Sequence, residues 1–331
     1  MLYIPNDSND PRFNLAFEEY VLKNLDMDDP YLLLWRNAPT VVVGRFQNTP
    51  DEINADYVEE HGVHVVRRMT GGGAVYHDLG NLNFSFIERK TSEGIDMKLF
   101  ARRIAQALQG VGLDVEVSGR NDLTIDGRKF SGNAQYIYHD RVLHHGTILY
   151  SSDLDNVQAA LNVKADKIAS KGVKSVKSRV TNLIDYMPVP LSIEEFQKSL
   201  LLQLFQGAPV RTRVLTEAEL EEINELVAAK YAKWEWNFGR SPAYNVSNRG
   251  RFGCGEVAIY LWVDEGIIRS CRIHGDFFTA RDIHDLESGL TGIECSKETL
   301  SKAYQDLNVA NYLEGLGLDE FLKLTTGTKA V

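Results

Sequence analysis

Apolar positions along this chain follow two periods, about 3.6 and 2, and the switches between them divide it into helices and strands. Phe17, Tyr20, Val21 and Asn24 fall on one helical face, which predicts a helix over 14–25 with Asn14 as its N-cap. Two short, almost wholly apolar runs, 31–35 and 40–44, read as buried strands, and Asn37-Ala38-Pro39 between them reads as the turn of a hairpin. A short helix over 54–61 and a strand over 63–66 follow. Leu82, Phe84 and Phe86 then alternate with Asn83 and Ser85, the period of a half-buried strand. Phe100, Ile104, Leu108 and Val111 return to helical spacing, and Gly112 stops it. Asp126-Gly127 between Leu-Thr-Ile and Lys-Phe predicts a two-residue hairpin turn, with strands over 135–138 and 142–150 beyond it.

Further along, helices are expected over 154–161, 193–205 and 217–233. The last two open on the capping boxes Ser192-Ile-Glu-Glu195 and Thr216-Glu-Ala-Glu219. Irregular chain around Gly239, Ser241 and Pro242 closes a first domain, and 245–250 reads as a linker. Val257, Ile259, Leu261 and Val263 alternate as a strand, and Asp264-Glu-Gly266 turns it into 267–274, with helices near 282–290 and 297–306.

At 331 residues the chain has room for one large domain with a full core and a smaller one. A formal charge of −10 argues against non-specific nucleic-acid binding as the main task. No basic segment followed by an apolar one opens the chain, and no apolar run approaches the roughly 20 residues that cross a bilayer. Cys254, Cys271 and Cys295 have neither CxxC nor zinc-finger spacing, so reduced thiols in a cytoplasmic protein are expected.

The chemistry gathers in two stretches. In the first, Arg67-Arg68-Met69-Thr70-Gly71-Gly72-Gly73-Ala74-Val75-Tyr76-His77-Asp78, paired guanidiniums lead into three glycines and then a strand. Bare backbone N–H groups and fixed positive charge suit a phosphate or a carboxylate. The order strand-after-glycine differs from both the Walker A loop and the dinucleotide fingerprint. The same residues would also suit a glycine-rich hairpin turn with two solvated arginines. In the second, Lys129 follows the Asp-Gly turn on the returning strand, with Gly119 and Gly132 to either side and Asp122 across. His77, His144 and His145 lack the spacing of a zinc site, and packed or substrate-lining roles are expected for them.

These stretches resemble bacterial lipoate–protein ligases. The resemblance runs through Arg-Arg-x-Thr-Gly-Gly-Gly-Ala-Val-Tyr-His-Asp at 67–78, Gly-Arg-Asn-Asp-Leu at 119–123, Arg-Lys-Phe-Ser-Gly at 128–132 and His-His-Gly-Thr at 144–147. It continues in Lys-Ser-Val-Lys-Ser-Arg-Val-Thr-Asn-Leu at 174–183, and extends from Asn14-Leu-Ala-Phe-Glu-Glu19 to Trp234-Glu-Trp-Asn-Phe-Gly239. It implies an α+β fold: a mixed β-sheet catalytic domain of the biotin/lipoate-ligase type over 1–244, then a small α+β accessory domain over 245–331.

The implied activity joins lipoate to the α-phosphate of ATP, with Mg2+ accompanying the nucleotide, and passes the lipoyl group from lipoyl-AMP to a lysine of an apo carrier domain. Such carriers are the acyltransferase subunits of 2-oxo acid dehydrogenases and the glycine-cleavage H protein; neither nucleic acid nor membrane is implied as a partner. By motif position Lys129 is the catalytic residue. Arg68, Gly71, Gly72, Gly73, Ala74, Val75, Tyr76, Asn121 and Asp122 join it at the nucleotide. Lipoate falls to Leu15, Phe17, Val42, Thr70, His77, His145 and Gly146, again with Arg68 and Lys129. Asp122 would orient Lys129 or engage magnesium or ribose. The basic run containing Lys171, Lys174, Lys177 and Arg179 resembles an adenylate-covering loop that would also face an acidic carrier, although such spacing also suits a solvated helix face. No dedicated protein metal site is implied. Two other readings share the fold. An octanoyl or lipoyl transferase works through a cysteine thioester, and residues 1–244 contain no cysteine. A non-catalytic lipoate-binding protein would not need Lys129, Arg68 and the glycines together.

Overall fold

Asp10, not Asn14, starts the first helix. Its carboxylate accepts the Arg12 N–H and Pro11 occupies the first helical position, where its missing N–H costs nothing. Asn14 lies one turn inside with its side chain wholly buried. The computed structural model describes residues 1–90, 97–119, 122–162, 180–238 and 245–326. They form two compact units, one of Met1–Val43, Thr49–Met69 and Ala74–Phe238, the other of Gly44–Asn48, Thr70–Gly73 and Gly239–Val331.

In chain order the first unit contains β1 (Leu2–Tyr3), α1 (Pro11–Asn24), β2 (Tyr31–Trp35), β3 (Thr40–Val43), α2 (Thr49–Glu52), α3 (Ala55–Glu60), β4 (His64–Arg67), β5 (Val75–His77) and β6 (Asn81–Arg89). It continues through α4 (Met97–Gly110), β7 (Glu116–Ser118), β8 (Asp122–Ile125), β9 (Arg128–Tyr138), β10 (Arg141–Leu149), α5 (Leu154–Ala160), α6 (Ile193–Leu204), α7 (Glu217–Leu226) and α8 (Trp234–Asn237). Seven strands make one sheet in the order β1-β2-β6-β10-β9-β8-β7, and β4-β3-β5 make a smaller one. The smaller sheet is parallel between β3 and β4 and antiparallel between β3 and β5. β2 and β3 therefore belong to different sheets, and the expected hairpin is instead a crossing from one to the other. The Asp126-Gly127 hairpin does form: both residues take positive φ, 49° and 70°, as a two-residue turn with matching twist requires.

The large sheet buries both faces. Leu32, Leu34, Leu82, Phe84 and Phe86 pack with Phe100, Ile104 and Leu108 of α4 and Phe196 and Leu200 of α6. On the opposite face Leu33, Trp35 and Leu143 pack with Leu15, Phe17 and Val21 of α1, which also meets Val42 and Val66 of the small sheet. This corrects the half-buried reading of β6. Its alternation is real, but the polar positions Asn83 and Ser85 are 2% and 0% exposed, because α1 covers the face that water would otherwise take. The helix expected over 217–233 also differs: α7 gives way to a π-helical turn, Val227–Tyr231. Lys230 Nζ and Tyr231 Oη each donate to Glu19 at 2.6 Å, and Lys23 Nζ joins at 2.7 Å. Burial works to raise the Glu19 carboxyl, and the lysines and the tyrosine hydroxyl outweigh it, holding the pKa below the usual range.

The second unit is built on an antiparallel sheet of β11 (Val246–Phe252), β12 (Gly255–Asp264) and β13 (Ile267–Gly275), followed by α9 (Ile283–Gly289), α10 (Lys297–Asp306) and α11 (Leu318–Thr326). The stretch expected as a linker is thus the first strand, paired residue by residue with β12 from Val246 opposite Leu261 to Phe252 opposite Gly255. Val257, Ile259, Leu261, Leu286, Leu300 and Phe321 lie in its core. Gly71 is required inside this unit, since a Cβ there would stand 2.3 Å from the Phe277 carbonyl oxygen. Gly72 takes φ +92°, open to glycine with little strain. No helix among the described residues is long and apolar enough to cross a membrane.

Candidate active site

Lys129 stands two residues past the Asp-Gly turn, on a strand held from both sides. β9 pairs with β8 through a bulge, so that Asp122 lies opposite Gly132 while Thr124 lies opposite Lys129. Such a bulge re-aims side chains. Here it lets the Asp122 carboxylate reach the Lys129 ammonium at 2.7 Å. The Lys129 carbonyl accepts the Thr181 N–H at 2.9 Å, which fixes the backbone beneath it. Gly132 supplies room: a Cβ there would stand 3.2 Å from Lys129 Nζ. Lys129 is 40% exposed, so the pair adds little to stability and the ammonium can exchange its carboxylate for another anion.

The paired arginines, read as possibly solvated, are both buried and differ in task. Arg67 is a brace. Its Nε donates to the Trp236 carbonyl, its Nη2 to Thr49 Oγ1 and the Asn237 carbonyl, and its own carbonyl accepts from Trp236 Nε1. Arg68 Nη1 donates to the Val42 carbonyl at 3.1 Å. Burial lowers its pKa to about 10, against the raising effect of Glu18 and with that of Arg67, so it remains a cation at neutral pH.

Around Arg68 the inner faces of the two sheets carry an unusual set of buried polar groups. Glu18 of α1 is 1% exposed; it accepts from Ser85 Oγ at 2.6 Å and from His145 Nδ1 at 2.9 Å, and Trp35 Nε1 in turn donates to Ser85 Oγ. His77 of β5 has its Nδ1 against Asn37 Nδ2 at 3.1 Å. Burial, then Arg68, then His145 push its pKa down to about 3, so the ring is neutral. His145, Glu18, Arg68 and His77 are therefore one electrostatic group. His144, the residue before His145, points to the other face and serves packing. It sits between Gln135 and Asn133, stacks on Phe100, and is held well below the ordinary histidine pKa, chiefly by burial.

Leu15, Phe17 and Val42 are buried in the core beside this group. Val75 packs on the same inner side, whereas Tyr76, on the opposite face of β5, and Ala74 pack into a separate cluster with Val41 and Val43. Gly146 also turns away: a Cβ there would meet Phe84 and Asn133, on the face opposite His145. Thr70, Gly71, Gly72 and Gly73 belong to the second unit, where the Thr70 carbonyl accepts from Arg45. Asn121, Lys171, Lys174, Lys177 and Arg179 lie outside the described residues. Sequence reasoning missed Glu18, Trp35, Asn37 and Ser85 as site residues. A carboxylate inside an apolar helical run was the one available signal, since Asn37 reads as turn and Ser85 as strand surface. Among the described residues no group of three or more His, Cys, Asp or Glu side chains is placed to hold a metal ion.

Residues 10–205 match the family described as the lipoyl protein ligase A/B catalytic domain, and residues 241–324 match the bacterial lipoate protein ligase C-terminus. The lipoate-protein ligase LplJ of Bacillus subtilis is 43% identical over 329 residues, 98% of this chain and 99% of that one. Among solved structures, P. falciparum LipL1 in complex with lipoate is similar with a TM-score of 0.79 at 25% identity, covering 97% of this chain and 98% of that one. A lipoate-protein ligase A bound with ATP has a TM-score of 0.62 at 30% identity, over 72% of this chain and 98% of that one.

Proposed function

The chain belongs to the lipoate–protein ligases, and we propose that Lys129, held by Asp122, is the group that makes its adenylation step possible. Lipoate has no leaving group at its carboxylate, and its attack on the α-phosphate of ATP brings two anions together. A fixed ammonium between them offsets that repulsion and stabilises the charge that develops as pyrophosphate leaves. In the second step the ε-amine of a carrier lysine attacks the acyl carbon, the bond to AMP breaks, and the amine loses a proton. The same ammonium stabilises the oxyanion of that step. The observation carrying the assignment is the ion pair itself: a lysine on a rigid, bulged strand, aimed by a carboxylate over a glycine that leaves room for it.

Arg68 meets the carboxylate end of lipoate, and Leu15, Phe17, Val42, His77 and His145 line the slot for its aliphatic tail and ring. By motif position the backbone of Ala74, Val75 and Tyr76, with Asn121, serves the nucleotide; Gly146, whose bare face lies opposite His145, is not proposed as an acyl contact. The magnesium that travels with ATP is carried mainly by phosphate oxygens. The catalytic work falls to residues 1–244, and 245–331 act as an accessory domain. Apo lipoyl domains of 2-oxo acid dehydrogenases or the glycine-cleavage H protein are the acceptors. The three free thiols, Cys254, Cys271 and Cys295, agree with work in the reducing cytoplasm.

Lipoate-dependent exchange of pyrophosphate into ATP tests the first step, and the mass of an apo lipoyl domain after incubation with lipoate and Mg-ATP tests the second. Both are expected. Absence of exchange would overturn the reading, and acyl transfer from a carrier thioester without ATP would replace it with a transferase.

A further inference from the structure

β4 ends the order β4-β3-β5, and its outer side is closed by side chains. On the inner side the Arg68 N–H donates to the Val43 carbonyl of β3 at 3.1 Å. Among the described residues no strand pairs with the outer side. There the Arg67 N–H donates to Asn237 Oδ1 at 3.0 Å, and the Arg67 carbonyl accepts from Trp236 Nε1 at 2.9 Å. An acceptor and a donor from α8 thus stand in for a neighbouring strand at the residue before Arg68. The Arg67 carbonyl and the Arg68 N–H belong to one planar peptide unit. The indole holds that plane at one end and β3 holds it at the other, which fixes the direction in which the Arg68 side chain leaves the backbone. α8 is itself anchored. Thr49 Oγ1 donates to the Asn237 carbonyl, and Asn237 Nδ2 donates to the carbonyls of Tyr231 and Lys233. Lys230 Nζ stands 4.0 Å from the centroid of the Trp236 ring and donates to Glu19 of α1. Glu18, beside it on α1, acts on Arg68 electrostatically.

We infer that Trp236 and Asn237 are positioning residues for the adenylation step: by completing the open edge of β4 they fix the backbone from which Arg68 reaches the carboxylate end of lipoate. After Met69 and Thr70 the chain runs into three glycines, the residue type with the least restrained backbone. Stiffness at Arg68 therefore comes chiefly from β4. A small tilt of the peptide plane between Arg67 and Arg68 is magnified along the arginine stem, and a misplacement of about 1 Å at a reacting centre can cost about 10²-fold in rate. The same contacts give a task to Trp234-Glu-Trp-Asn-Phe-Gly239, a stretch to which the ligase reading assigns no substrate contact. This inference rests on that reading and deepens it.

Trp236→Phe keeps an aromatic ring beside Lys230 and removes the N–H that the Arg67 carbonyl accepts. Pyrophosphate exchange is measured on the full chain, well below the melting temperature, where every variant is folded. The variant should lose about tenfold in kcat/KM for lipoate. A double-mutant cycle separates positioning from mere stabilisation. On an Arg68→Lys background, which keeps the charge and forfeits the guanidinium fork, Trp236→Phe should cost less than about twofold. Equal losses on both backgrounds, or no loss in the single variant, overturn the inference. If exchange on the Arg68→Lys background is too slow to follow, the lipoate dissociation constant from calorimetry completes the cycle with the same two outcomes. Leu200→Ala, in the core beneath α6, is the control: it lowers the melting temperature by an unrelated cavity and should leave kcat/KM within about twofold. A tenfold loss there would mean that general loosening explains Trp236→Phe, and the positioning role would fall. Should Trp236→Phe not fold, Thr49→Val, which removes the hydroxyl between Arg67 and Asn237, carries the same cycle. Absence of exchange in the unmutated protein would defeat the ligase reading, whereas exchange that both variants leave intact would defeat the positioning role alone.

Discussion

β6 in the first unit and β12 in the second read alike as strings of alternating residues, yet they meet opposite surroundings. On β12 Val257, Ile259 and Leu261 face the core, while Trp262 between such positions is 43% exposed. On β6 the apolar positions Leu82, Phe84 and Phe86 face one core, and the polar ones, Asn83 and Ser85, are sealed beneath α1. A polar group buried without a partner is costly, so it persists where it is bonded or where a ligand completes it. Ser85 is bonded to Glu18 and Trp35. Among the described residues Asn83 Nδ2 and His77 Nε2 meet no hydrogen-bond partner. The contrast teaches that an alternating strand marks a surface only until the second covering layer is known.

The sharpest break of that contrast is Lys129→Ala, which should lower the rate of lipoate-dependent pyrophosphate exchange by about 10²–10³. Its melting temperature should barely move, because the ion pair it removes is partly exposed. Ser85→Val comes next: it strips a donor from buried Glu18 and an acceptor from Trp35 Nε1, and should cost about 2–4 kcal/mol in urea unfolding. A near-neutral result would mean that the sealed row is not held by its bonds.

Per pH unit, acid sensitivity is smaller. His77 and His144 have folded pKa values depressed below the unfolded value, largely by burial. Above about pH 6.5 they are neutral in both states and contribute no slope. Below it the unfolded chain takes up protons that the folded one refuses, so stability falls toward pH 4 by at most about 1.4 kcal/mol per pH unit for each ring. His77→Gln should flatten that slope, as read by unfolding at pH 6, 5 and 4. Smallest of all, Trp262→Ala on the exposed face of β12 should change stability by no more than about 0.5 kcal/mol.

Local chemistry was enough to place the Asp126-Gly127 turn, both capping boxes and Lys129 at the head of its strand. Each depends on neighbours within a few residues, and each was found there. The α+β class and the ligase family were legible because several ordered motifs agreed. Asn14 misled because any Asn before a helical run can serve as a cap, and only the chain on either side shows Asp10 doing so. The hairpin between 31–35 and 40–44 was misplaced because a turn sequence reports a change of direction, not which partner each strand will hydrogen-bond.

What the order of residues determined by itself was therefore local: turn geometry, helix starts, the two periodicities and the types of group available for catalysis. Which of those groups would be buried together was decided only by tertiary structure. Glu18, Ser85 and His145 lie on three separate elements, and Asn37 reaches His77 across 40 positions. Burial and pairing are properties of the packed layers around a side chain, and no window along the chain contains them.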